Sequence, residues 1–182
     1  SRTPALCFTF KISPLNKITI FWHSTESVRS SPDPQLQPPA MGSDADNQGP
    51  KPTYIYKLVH FSTPPPEPLP DALPVSDLDS RDKFLHMSTQ KQVPRTLAHF
   101  FKDDPKVYVL RVPYEGVEKL IKWEDPKGEV CGPRAGEGMF PHIYNGLKLG
   151  KDEVESVAVW ENSAEGWDAA VKKAEESGWF VF

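Results

Sequence analysis

Phe84-Leu85-His86-Met87-Ser88-Thr89 is the stretch on which the fold reading of this 182-residue chain turns. Side chains of a strand alternate between its two faces. Leu85 and Met87 therefore share one face, and Phe84, His86 and Ser88 share the other. The first pair is ready-made core. The second face carries an imidazole and a hydroxyl to the strand's end, just before a helical pattern over residues 89–102. There Val93, Leu97, Phe100 and Phe101 fall on one helix face. Thr89 with Gln92 resembles a capping box, and Pro94 suits a first turn, so regular helix is predicted to begin near Pro94.

Outward from this segment, strands dominate. Residues 54–59 are rich in β-formers, and residues 107–112 form a near-continuous apolar run of the kind found in a central strand. Residues 119–123 and 154–160 read as further strands, and residues 73–82 have room for one short helix. Asn145-Gly146, between Ile143-Tyr144 and Leu147-Lys148-Leu149, predicts a hairpin. Residues 163–178 read as a helix capped by Ser163 and closed by Gly178, with Trp167, Ala170, Val171 and Ala174 as its apolar stripe. Many strands with few helices give a small α+β domain rather than a wound parallel sheet. The predicted organisation is a leader over residues 1–51, the domain over 52–162, and a C-terminal helix over 163–182 that packs on it.

Composition narrows the function classes. The net charge is −4 with no lysine/arginine block, which counts against a nucleic-acid partner. No apolar run reaches membrane-spanning length. Nine of the 20 prolines fall within residues 32–39 and 64–70, where helix and central sheet are excluded. The leader reads either as an extension upstream of a natural start at Met41, without a fold of its own, or as a basic, acid-poor transit peptide. Cys7 and Cys131 lie in unlike contexts and do not read as a disulfide framework, which points to a reducing compartment such as the cytoplasm.

Few residues carry chemistry. An imidazole at position 86 can hold a ribose hydroxyl or a phosphate, or act as acid or base; the alternative is a core histidine satisfied by a carbonyl. Pro141 stiffens the chain before His142, which otherwise reads as a solvated turn residue. Glu124, after Trp123, can bind sugar hydroxyls, or can be a strand-end charge in solvent. The glycine-rich loop 124–140 lacks the Gly-Lys-Ser/Thr ending of a P-loop. His23, His60, His86, His99 and His142 show no zinc-ligand spacing and there is no Cys-x-x-Cys, so no metal is expected.

Taken in order, Ile55-Tyr56, Phe84-Leu85-His86-Met87-Ser88-Thr89, Trp123-Glu124 and Phe140-Pro141-His142-Ile143-Tyr144-Asn145-Gly146-Leu147 resemble the motifs of the domain of unknown function 952 family, over residues 52–160. The resemblance implies a split-sheet, ADP-ribosyltransferase-like fold that holds NAD in a cleft. A more distant likeness is to RNA 2′-phosphotransferases. It further implies a nucleotide or other small molecule as ligand and a ribosyl-type transfer, with His86, Ser88 and Lys57 contacting the cofactor and Glu124 and His142 as catalytic groups. A noncatalytic binding module of the same fold is the alternative. Two features depart from the family: Lys57 stands where members usually carry histidine, and the loop over residues 125–139 is long.

Overall fold

A computed structural model of the chain describes residues 49–182. The expectations for the leader lie outside these residues. Two three-stranded antiparallel sheets organise the domain. The first has the order β1 (Tyr54–His60), β3 (Lys106–Pro113), β6 (Ser156–Glu161). The second has the order β2 (Leu85–His86), β5 (Phe140–Ile143), β4 (Ile121–Glu124). The sheets meet where Tyr56 and Ser88 exchange both backbone hydrogen bonds, at 2.8 and 2.9 Å. The coarse expectation of a small α+β domain with few helices therefore holds.

The central strand β3 explains its own apolar run. Val107 and Val109 face one core with Tyr56 and Trp160, while Leu110 and Val112 face a second core with Ile55, Leu85, Met87, Trp123 and Ile143. Both faces are buried, so alternation with polar residues disappears. The first core is closed by α2 (Val93–Phe100), through Val93 and Leu97, and by α4 (Asp168–Glu176), through Val171 and Ala174. Helix α2 starts one residue before Pro94, and Gln92 Oε1 accepts from the Thr89 N–H at 2.9 Å, half of a capping box. Val93, Leu97 and Phe101, four residues apart, form its buried stripe; Phe100, read as part of that stripe, is 70% exposed.

Two local expectations are corrected. Residues 147–149 form no strand. Instead the Asn145 side chain bonds both the N–H and the carbonyl of Lys148, and Gly146 and Leu147 both take positive φ, which closes a compact loop rather than a hairpin. Ser163 does not cap α4: its hydroxyl donates to Gly166 O in a separate turn, and the helix begins at Asp168. Gly178, at φ 73°, does turn the chain after α4, so that Phe180 N–H returns to Ala174 O. Among the described residues no helix is long and apolar enough to cross a membrane.

The C-terminal segment is locked to the sheet by polar as well as apolar contacts. The Tyr56 hydroxyl donates to Val181 O at 2.7 Å and accepts from Val181 N at 2.9 Å. Trp167 is 6% exposed and its indole N–H donates to Phe101 O. Trp167→Ala is expected to cost about 3–5 kcal/mol, as buried aromatic truncations do. Urea unfolding monitored by circular dichroism checks this, and a cost near zero would show that α4 is not held through Trp167.

Candidate functional site

Strand register builds the site. In the β2–β5–β4 sheet, His86 lies directly opposite His142, which lies opposite Lys122. Alternation then sorts the sheet's side chains. Leu85, Ile121, Trp123 and Ile143 turn to the core. Phe84, His86, Lys122, Glu124, His142 and Tyr144 share the other face. The two imidazoles meet edge-on with ring centroids 5.1 Å apart. Phe84 stacks on His142 at 4.2 Å and tilts against His86 at 4.5 Å.

Each imidazole rests on a buried carboxylate through Nδ1. For His142 the partner is Glu124, Nδ1 to Oε2 at 3.1 Å, and the Tyr144 hydroxyl donates to the same oxygen at 2.7 Å. His142 and Glu124 are 1% and 2% exposed. Burial lowers the His142 pKa from its usual 6.5, against the raising effect of the Glu124 bond, so the ring is held neutral. Burial, and then the Glu124 bond, push the Tyr144 hydroxyl up, which keeps it a donor. The Asp125–Gly128 turn packs here: a Cβ on Gly128 would lie 2.9 Å from Phe84 Cε1, and its φ is +71°. Asp125 Oδ1 holds the turn by accepting from Glu129 N and Val130 N, and these backbone bonds keep its carboxyl below the usual range. Cys131 Sγ lies 3.7 Å from Glu124 Oε1.

For His86 the partner is Asp79, on the short helix α1 (Asp77–Asp82). Asp79 Oδ1 accepts from both the backbone N–H of His86, at 2.9 Å, and its Nδ1, at 2.8 Å. Oδ2 accepts from Lys57 Nζ and from Ser76 Oγ. Burial alone would raise the Asp79 pKa. The His86 bonds and the Lys57 charge outweigh it and hold the carboxyl well below its ordinary value. Burial in turn lowers Lys57, which Asp79 opposes. The His86 side chain is 20% exposed, and its Nε2 lies 3.4 Å from Asp82 Oδ2. His86 is thus the accessible edge of an otherwise buried cluster.

Of the residues singled out in the sequence, His86, His142 and Glu124 come together, and Lys57 joins them through Asp79. Ser88 does not: its backbone bridges Tyr56 and its hydroxyl sits 3.4 Å from Thr96 Oγ1. His60, on the opposite face of β1 from Lys57, pairs with Asp104 instead. Sequence reading missed Asp79 and Tyr144. Asp79 had a signal, the Ser76-Asp77-Leu78-Asp79 pattern of a helix start. Two grooves, of about 640 and 190 Å³, are lined by other residues: one lies between β6 and α4, the other between the glycine-rich loop and Phe182. Among the described residues no group of three or more His, Cys, Asp or Glu side chains could hold a metal ion.

An antiparallel α+β scaffold carrying two carboxylate-anchored histidines defines the class of site. The model of the family described as Protein of unknown function (DUF952) matches residues 70–157. The matched span contains Asp79, His86, Glu124 and His142 but begins after Lys57. No curated protein matches the chain. Among solved structures, the crystal structure of protein CC0527 from Caulobacter crescentus is 25% identical, with 63% of this chain and 92% of that chain covered and a TM-score of 0.48. The solution NMR structure of CC0527 is also 25% identical, over 68% of this chain and 96% of that chain, at 0.48.

The buried neutral His142 makes stability pH-dependent. Its folded pKa lies below 6.5, so the unfolded chain takes up the proton first. This contribution is complete above pH 6.5 and is lost as pH falls from there toward the lowered folded value. In urea unfolding across that window, His142→Asn, whose amide can still donate to Glu124, is expected to lose less stability with falling pH than the wild type. Equal slopes would mean that His142 is protonated in the folded chain.

Proposed function

We propose that this chain is a nucleotide-handling protein that takes a ligand of the NAD or ADP-ribose class at the His86 edge of the cluster, in the manner of an ADP-ribosyltransferase-like fold. One observation carries the reading: two imidazoles, each bonded through Nδ1 to a buried carboxylate, face each other across one strand pair. With Nδ1 committed, Nε2 of His86 is the nitrogen left to bond a ribose hydroxyl or move a proton. Glu124 and His142 back this edge rather than touch the ligand while the Asp125–Gly128 turn is packed on Phe84. A ribosyl transfer is the reaction class by analogy of fold, which alone does not give function. The alternative, a noncatalytic binding module, draws on a different observation: the larger groove, about 640 Å³, lies between β6 and α4, away from both histidines.

The test is ligand-induced stabilisation. NAD or ADP-ribose at about a hundred times its dissociation constant should add about 2.7 kcal/mol by mass action, raising the melting temperature by several degrees. His86→Asn places an amide donor where Nδ1 sits and removes Nε2. It is expected to stay folded and lose the shift. Absence of any shift in the wild type would overturn the nucleotide reading, and a shift that survives His86→Asn would move the ligand elsewhere.

A further inference from the structure

We propose that Asp79 is the positioning residue of His86, and that Lys57 is the counter-charge that lets a buried Asp79 do this. The inference rests on the reading that His86 Nε2 is the group that meets the ligand. Asp79 is 1% exposed and divides its oxygens between two tasks. Oδ2 takes the Lys57 ammonium and the Ser76 hydroxyl. Oδ1 takes two donors from one residue, the backbone N–H and the ring Nδ1 of His86. A ring tied beside its own backbone amide cannot flip without losing a charge-assisted bond. The carboxylate has no proton to give, so Nδ1 must carry the hydrogen, which leaves Nε2, with Asp82 Oδ2 at 3.4 Å, as the nitrogen not tied to Asp79.

Helix capping does not account for this carboxylate. In a capping box the acid three residues after the cap reaches back to the cap's backbone N–H. Ser76 does cap α1, its Oγ accepting from Asp79 N at 3.2 Å. The Asp79 side chain instead leaves its helix and reaches β1 and β2. Lys57 closes the arrangement with a second bond, to His86 O at 3.1 Å. The ammonium is thus engaged by Asp79 and by the β2 backbone. It serves the site through Asp79 rather than by contacting a ligand.

The tautomer of His86 reports this role directly. In the full chain with 15N-labelled histidine, the two ring nitrogens are distinguished by their shifts and long-range proton couplings, at alkaline pH where free imidazole is neutral. Wild-type His86 is expected to be a single Nδ1–H tautomer. Asp79→Asn should abolish it. With Lys57 retained, the amide oxygen goes to the ammonium and the amide hydrogens face Nδ1. Should that variant fail to fold, Lys57→Met/Asp79→Leu removes the whole buried pair, an exchange often neutral for folding. It too is expected to release His86 from Nδ1–H. His142, anchored on Glu124, is the internal reference and should not change. A folded variant in which His86 stays Nδ1–H overturns the proposal, as does one in which both histidines change together. The tautomer result stands whether or not NAD or ADP-ribose shifts the melting temperature. Nucleotide binding in the wild type with an unchanged tautomer in the variants would sink the positioning role alone.

Discussion

A carboxylate buried at 1% exposure has to be satisfied where it lies, and in this chain Asp79 is satisfied by three separate segments. Lys57 comes from β1, Ser76 from the start of α1 and His86 from β2. Losing one partner of such an arrangement leaves a charge unpaired in low dielectric, which costs far more than the pair gains over water. The contact therefore acts as a specification. It sets α1 against β2, and it sets β2, only Leu85–His86 long, in a rotamer-defined relation to β1. The Tyr56–Ser88 bridge joins the same two segments through the backbone. The polar face of the second sheet is thus anchored to the first sheet by one side-chain hub and one pair of backbone bonds.

The register of β5 carries the arrangement across to the second histidine. Alternation forces His142, opposite His86, onto the face that also holds Glu124. A one-residue slip of β5 would turn His142 into the apolar core and bring Ile143 out, parting the two imidazoles. The core thus holds the register that creates the site. Phe84, Leu85, Trp123 and Ile143 serve as packing residues and as registration marks at once.

This is why part of the site was legible in the sequence. The alternation in Phe84–Met87 told which residues share a face, and the length of the apolar run told that β3 is buried on both sides. Pairing was not legible. His86 and His142 are 56 positions apart, and nothing local states that they are opposite. Asn145-Gly146 misled because a tight-turn dipeptide carries no information on whether a second strand forms after it. Here the Asn145 amide closes on Lys148 before such a strand can begin. Ser163 misled in the same way, its hydroxyl being engaged in a local turn. Lys57 read as a departure from the histidine expected at its position. It becomes intelligible only with Asp79, a partner that sequence separation hid.

The two carboxylate–histidine pairs are built alike but placed differently, and the difference assigns them different work. His142 has Phe84 stacked on one side, Glu124 at Nδ1 with the Tyr144 hydroxyl on the same carboxylate oxygen, and burial that keeps it neutral. A group so enclosed can orient and insulate a neighbour. It cannot exchange protons with a ligand unless the Asp125–Gly128 turn lifts from Phe84. His86 has the same anchoring through Nδ1 but an open edge, with Asp82 beside Nε2. An open nitrogen on a fixed ring, backed by an immobile neutral one, is suited to meet a ligand with little reorganisation. On the proposed reading, a ligand would meet this face at His86, with His142 behind it.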